Sequence, residues 1–428
     1  MLEEERQKSD KTKEITTKCK KMNHRSFVIL LLSIVTLTVS QSVWGDPKPY
    51  SRKSLMKEVK ASIKSGNYTK ADQQLTEAEN TYPEALTDAA IANTHMNVVH
   101  HLAEAENRRI FLANKPDTAA FLSQILRVYQ IGLRCDSLDR QPDSRQRIRP
   151  RYTQDIQERF SFYRNNLFNA GKYFYKKKQY HEALRHIEMY ITTESLPLVI
   201  EKDPASLREN YSLAVFAAYG DSSMTTVRHY LPYCYDDTLH KSLICQIGSK
   251  AYMQTGDTLQ AIRCLYDGWQ ADPTKDYFYL ALAHYYTDHG QYLEALKVVD
   301  TQLQREPANT DLLYIKGMSM KCLQQYEEAI TAYQHALQLR SDDARILSGI
   351  GEVYVIEARE MAEKNTAKAG TQAYIRSRQA QRKLYNQALP HLEKARTLDA
   401  DNTTLWYNNL REVYYKLNKG KELKELEK

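Results

Sequence analysis

Twelve histidines and six cysteines are the residues of this 428-residue chain with the widest chemical reach, and their spacing decides what they can do. His181-Glu-Ala-Leu-Arg-His186 comes within one residue of the His-Glu-x-x-His pattern, in which two imidazoles four apart share one helical face and chelate zinc. Five apart, at 100° per residue, they stand about 140° apart around a helix and face different surroundings. His284 and His289 repeat that spacing. His95, His100 and His101 have no cysteine near them, and His100 with Glu104 reads as a surface i, i+4 pair. No GxxxxGK[ST] phosphate loop and no Gly-x-Ser-x-Gly nucleophile turn occurs, and Gly349-Ile-Gly351 falls where close helix packing accounts for it. No catalytic residue, cofactor or metal site is therefore expected. Cys135, Cys234, Cys245, Cys264 and Cys322 follow residue 45; an odd number, widely scattered, is not a disulfide framework. Cys245 and Cys264 fall on opposite helices of one hairpin, where either a bond or two buried thiols would fit.

The elements that must carry these residues announce themselves by repetition. Gly256-Asp-Thr-Leu-Gln-Ala261 and Gly290-Gln-Tyr-Leu-Glu-Ala295 place Gly and Ala 34 residues apart, and Tyr326-Glu-Glu-Ala329 supplies the next Ala at the same interval. Tyr252, Tyr286 and Met320 precede them in step; Pro273, Pro307 and Ser341 follow. Two amphipathic helices and a tight turn occupy about 34 residues, and such a unit cannot bury its apolar face alone. Small residues at 283, 317 and 351, and at 261, 295 and 329, mark where helices approach closely; a leucine there would overpack by about 1–3 kcal/mol.

With Tyr279, Leu282, Ala283 and Tyr286 on a first helix, and Tyr292, Ala295 and Pro307 on the second, the pattern resembles tetratricopeptide repeats (TPR). Leu313, Gly317, Met320, Tyr326, Ala329, Tyr333 and Ala336 continue it; Gly171, Phe174, Tyr180, Ala183 and Ile187 carry it upstream, as do Gly66, Tyr68, Ala71, Leu75, Ala78 and Pro83. The resemblance implies an all-α, TPR-like superhelical solenoid of antiparallel helix pairs. Ala183 to Ala261 is 78 residues, so an irregular hairpin intervenes, with Tyr211–Tyr219 and Met224–Tyr230 on its two helices. Tyr354 to Tyr385 is 31 residues where Tyr286 to Tyr292 is six. That surplus, at about 358–382, is rich in helix formers and predicts one lengthened, projecting hairpin near the C-terminus. Split evenly, it would extend each arm by roughly 18 Å.

The organisation expected is a leader over 1–45, an N-terminal helical region over 46–138, a basic Pro/Arg loop over 139–151 and the main array over 152–428. Phe27 to Val39 is a 13-residue apolar run without charge, preceded by Arg25 and followed by Val43-Trp44-Gly45. This reads as an export signal, too short for a span of about 20 residues. Residues 1–21 are long and charged for a signal n-region, and Met22-Asn-His-Arg-Ser-Phe27 reads as a complete one, so Met22 is the expected start. The chain carries net charge +7; residues 1–45 hold eight Lys/Arg and five Asp/Glu, which leaves +4 on the remainder. That is too weak to argue for nucleic acid. Tyr385-Asn-Gln-Ala-Leu-Pro-His-Leu-Glu-Lys-Ala395, Leu405-Trp406 and Tyr163-Arg-Asn-Asn-Leu-Phe-Asn-Ala-Gly171 resemble exported TPR proteins of the Bacteroidota. That likeness implies a periplasmic or outer-membrane-associated location, with membrane association through an uncleaved leader or a partner as the variant.

The TPR resemblance also implies where a partner would lie. One stripe of each first helix packs inward, and the stripe 100° around lines the concave groove. Here that second stripe is Phe168, Lys172 and Tyr175; Gln246, Lys250 and Met253; Leu280, His284 and Thr287; Tyr314, Met318 and Lys321; Ser348, Glu352 and Val355. Gln246, Leu280, Tyr314 and Ser348 stand where a clamp for acidic C-terminal tails would need Lys, so that specialisation is not expected. The expectation is a non-enzymatic scaffold that binds protein partners in the groove. The alternative is a glycan- or nutrient-capture protein, which would need exposed aromatic platforms, and the chain has only three tryptophans.

Overall fold

The computed structural model describes residues 50–112 and 117–427. The chain divides into two compact units, Met1–Lys53 and Ser54–Lys428, and all but four of the described residues lie in the second. Among the described residues every regular element is helical. The apolar run at 27–39 lies outside them, and no described helix is long and apolar enough to cross a membrane.

The helices pair along the chain as the periodicity demands. Helices α1 (Arg52–Lys64) and α2 (Tyr68–Thr81) lead through a one-turn α3 (Pro83–Leu86) to the long pair α4 (Ala89–Phe111) and α5 (Thr118–Asp139). Next come α6 (Thr153–Lys176) with α7 (Tyr180–Glu194), and the irregular α8 (Pro204–Gly220) with α9 (Met224–Tyr230), which tightens into a 3-10 turn at Leu231–Cys234. The regular pairs follow: α10 (Lys241–Gln254) with α11 (Thr258–Ala271), α12 (Asp276–Asp288) with α13 (Tyr292–Leu303), and α14 (Thr310–Cys322) with α15 (Tyr326–Leu339). The array ends with α16 (Ala344–Glu363) and α17 (Gln372–Leu398), then α18 (Thr403–Lys416) and α19 (Gly420–Leu426). Each second helix also packs on the next hairpin, and the first helices α14, α16 and α18 touch in series.

One turn chemistry is reused throughout. Gly256 (φ +78°) is left-handed; its N–H donates to the Met253 carbonyl at 3.2 Å and the Asp257 N–H to the Tyr252 carbonyl at 2.9 Å. This pair of bonds satisfies carbonyls that a helix end would otherwise leave open. Gly66 and Gly290 do the same with positive φ, and so do Lys178, Ser222, Gln324 and Asn418, each two residues before its second helix starts. Asn67 and Asp257 then cap the second helices with side-chain oxygens, as Asp88, Asp117, Asp203, Asn309 and Asp343 cap first or long helices.

Close approach is set where small residues cross bulky ones. A Cβ on Gly317 would stand 2.7 Å from the Tyr333 ring, and one on Gly349 2.8 Å from the same ring. Tyr333 is 1% exposed, so α15 is wedged between its own partner and the first helix of the next unit. Ala261, Ala283, Ala295 and Ala329 are fully buried in the same role.

The lengthened hairpin is present but uneven. Helix α16 has 20 residues against 13 in α14, and α17 has 27 against 14 in α15, so the arms gain about 10 and 20 Å. The even split fails because the reversal is an eight-residue turn placed early: Asn365 accepts from the Ala367 N–H, Gly370 takes φ +84°, and Thr371 caps α17.

Replacing Gln324 by Gly should stabilise the chain by about 0.5–1 kcal/mol, because a left-handed side-chain residue is relieved; Gly256→Ala should cost about 1–2 kcal/mol. Urea unfolding of both variants, with helicity followed by circular dichroism, checks the opposite signs.

Candidate functional site

The second stripe of the first helices is where sequence reasoning placed binding. Most of its residues are half-buried, with Met253 and His284 exposed, whereas Thr287, Ser348 and Val355 are buried. Ser348 and Val355 are covered because α18 closes over them; the Ser348 hydroxyl donates to the Leu405 carbonyl. Thr287 turns its hydroxyl back to the His284 carbonyl at 2.9 Å.

The charges of the stripe are largely engaged within the chain. Lys172 Nζ meets Glu209 at 2.6 Å and lies 4.0 Å from the Phe168 ring centroid. Lys250 Nζ sits between the rings of Tyr219 and Tyr277, 5.8 and 5.6 Å from their centroids. Gln246 accepts from Lys275 at 2.7 Å, and Lys321 Nζ reaches Glu352 of the next unit at 2.6 Å. Tyr314 lies beside the Arg345 guanidinium, 5.4 Å from its ring centroid, and Arg345 also reaches Asp311, one period earlier, at 3.3 Å. Tyr175 packs on Tyr180, with ring centroids 5.7 Å apart. What remains between α10 and α14 is exposed Met253 and His284 with half-buried Leu280, Tyr314 and Met318: an aromatic and apolar strip with one imidazole. Such a surface suits the core of a protein interface.

The histidines flagged by spacing have other employment. His186 is buried, its Nδ1 2.8 Å from the Glu182 carbonyl and its Nε2 3.3 Å from the Leu122 carbonyl; burial lowers its pKa. His181 is exposed and lies 3.6 Å from Asp221. The surface reading of His100 with Glu104 is corrected: His100 is 4% exposed, because α6 lays Tyr163 against it with the hydroxyl 2.8 Å from Nδ1. Burial, with the Arg159 charge nearby, holds its pKa down at about 4. Cys245 and Cys264 are buried free thiols, raised by burial to about 11 and about 12.

Two polar clusters escaped sequence reasoning. His95 bridges Asp72 (2.9 Å) and Glu79 (3.0 Å), and these acids take Arg127 and Arg134 from α5. Burial opposes charge here, but the two carboxylates outweigh it and raise the His95 pKa; His95 and Arg127 in turn overcome burial at Asp72 and lower it to about 2. Arg164, 9% exposed, stacks 3.4 Å from the Tyr190 ring centroid and binds Thr193 and Glu194. The first cluster ties α2 and α4 to α5 and the second joins the two helices of one hairpin, and no local pattern signals either.

Trp269 and Trp406 are buried, their indole N–H groups donating to Gln302 and to the Asp399 carbonyl, so neither offers a stacking platform for sugar. On the lengthened hairpin, Arg359 is bound to Glu412 at 2.6 Å, while Arg376, Arg378, Arg382 and Lys383 are exposed.

The array of helical hairpins defines the class: an all-α repeat protein. Residues 323–355 match the family model described as TPR repeat. Taken with the hairpin period and turn geometry, the fold is all-α and TPR-like. It is similar in structure to the C-terminal part of a TPR repeat-containing protein from Cytophaga hutchinsonii (15% identity, TM-score 0.41, 60% of this chain and 90% of that one). A TPR repeats protein from Bacteroides fragilis (17%, 0.30, 59% and 98%) and the TPR2AB domain of yeast Sti1 in complex with pHSP90 (16%, 0.25, 60% and 99%) are also similar. No curated protein matches the chain.

The His95 cluster predicts a pH signature. The raised His95 pKa contributes stability that is complete below the unfolded value of 6.5 and is lost as pH rises through the folded value. The lowered Asp72 pKa contributes stability present above 3.8 and lost as pH falls through about 2. His95→Ala should cost about 3 kcal/mol, the lower end for breaking a buried pair because Arg127 and Arg134 remain. Its deficit against the unaltered chain, measured by denaturant unfolding, should be largest between these limits and shrink on both sides.

Proposed function

We propose that the protein is a non-enzymatic interaction scaffold that holds a segment of a protein partner along the face formed by successive first helices. The observation that carries this reading is the partly exposed strip of Met253, Leu280, His284, Tyr314 and Met318 on α10, α12 and α14. Side chains of this kind at the repeat interval can read a partner residue by residue, and the rigid hairpins keep their spacing fixed. First helices that touch in series, as α14, α16 and α18 do, are the packing expected of the inner layer of a curved array. Partner choice then falls to shape and apolar contact, since Lys172, Lys250 and Lys321 are already engaged.

We further propose that the chain works outside the cytoplasm, in the periplasm or at the outer membrane. The apolar run from Phe27 to Val39 with Arg25 before it supports that placement. The exposed arginines of the lengthened hairpin supply a second contact.

Tyr314→Ala combined with Met318→Glu should weaken partner binding at least tenfold while leaving the helical circular dichroism unchanged. Cross-linking in intact cells followed by mass spectrometry identifies the partner, and titration with that partner reads the loss. Unchanged affinity in the folded double variant would remove the first-helix face from the account.

A further inference from the structure

We propose that His100, His101 and Glu104, on the middle of α4, form a binding site for a divalent transition-metal ion of the zinc class. Their donor atoms all lie within 4.8 Å of one another. Glu104 Oε2 is 3.0 Å from His101 Nδ1 and 3.6 Å from His100 Nε2. Tetrahedral zinc, with bonds of about 2.0–2.1 Å, holds its ligands roughly 3.4 Å apart, so Glu104 already stands at chelating separations from both histidines, and the two imidazole donors lie within 4.8 Å of each other. The helix creates this geometry: residues three and four positions apart share a face, and Glu104 is i+3 to one histidine and i+4 to the other.

The surroundings set up His100 as a ligand. Tyr163 places its hydroxyl 2.8 Å from His100 Nδ1 and 3.3 Å from the His100 carbonyl oxygen. A carbonyl only accepts, so a hydroxyl proton given to it leaves the same oxygen to accept from Nδ1–H. In that arrangement Nε2 carries the lone pair and faces Glu104, as ligating histidines do when an outer partner fixes their tautomer. Phe162 packs edge-on against His100, with ring centroids 5.9 Å apart, and Tyr68 lies over His101 at 4.5 Å. The His101 and Glu104 side chains keep 41% and 34% of their surface exposed, which gives an entry path and room for a water as fourth ligand. Two imidazoles and one carboxylate favour zinc, nickel or copper over magnesium and calcium, which want oxygen. Arg159 opposes any cation here; its guanidinium is hydrogen-bonded to Asn97 at 3.2 Å. Because Tyr163 belongs to α6, an ion on these residues would brace α4 against the next hairpin.

Calorimetric titration of the full chain with ZnCl2 should give one ion per chain, and Co2+ should develop visible d–d absorption of a nitrogen- and oxygen-ligated ion. His101→Ala and Glu104→Gln, both at partly exposed positions, should each weaken zinc binding at least tenfold with helicity unchanged. Tyr163→Phe should weaken it about tenfold, and His181→Ala should leave it unaltered. The absence of zinc heat and of cobalt absorption in the unaltered chain would overturn the site. So would binding that survives in folded His101→Ala and Glu104→Gln, or calcium bound as well as zinc.

Discussion

A hairpin of two short helices cannot hide its own apolar face, and everything else in this protein follows from how neighbouring hairpins solve that problem. Tyr333 states the solution most compactly. Its ring is held between Gly317 of its own unit and Gly349 of the next, at distances that leave no room for a single methyl group on either side. Glycine at both positions brings the helices close enough to bury a tyrosine fully, and stacking then becomes the condition for having a core at all. The left-handed turns do the complementary work of starting seven of the second helices in the same way.

That constraint spends one side of every first helix and one side of every second helix on neighbours. The side left over on the first helices recurs with the repeat spacing and faces away from the partner helix. Its charged residues are drawn into contacts between units, as Lys321 with Glu352 and Arg345 with Asp311. These pairs are partly exposed, so each contributes little to stability, yet together they remove free cations from the face. What remains for a partner is apolar and aromatic. At the C-terminal end α18 covers Ser348 and Val355, which leaves the open strip in the middle of the array.

Much of this was legible in the sequence because it is repeated. The 34-residue interval located the turns at Gly256 and Gly290 and the small residues at 261, 295 and 329, since each position answers to a local steric demand. Lys178, Ser222, Gln324 and Asn418 adopt the same turn without being glycine, so residue type alone could not reveal them. The lengthened hairpin was visible as a surplus of residues, while its unequal arms depended on where Asn365, Gly370 and Thr371 reverse the chain. Burial of Ser348 and Val355 was not legible, because the helix that covers them starts after an insertion that breaks the count. His100 was misread as a surface residue for a related reason: Tyr163, which buries it, is 63 residues away. The ion pair between Asp311 and Arg345 did leave a trace, opposite charges one period apart, and similar spacing links Tyr326 to Glu360.

The central claim is that stacking leaves the first-helix strip between α10 and α14 as the docking surface. Hydrogen exchange followed by mass spectrometry, on the chain alone and with its cross-linked partner purified, tests this most directly. The account predicts added protection concentrated in peptides covering 241–254, 276–288 and 310–322. Protection confined to the second helices, at 258–271, 292–303 and 326–339, would contradict it.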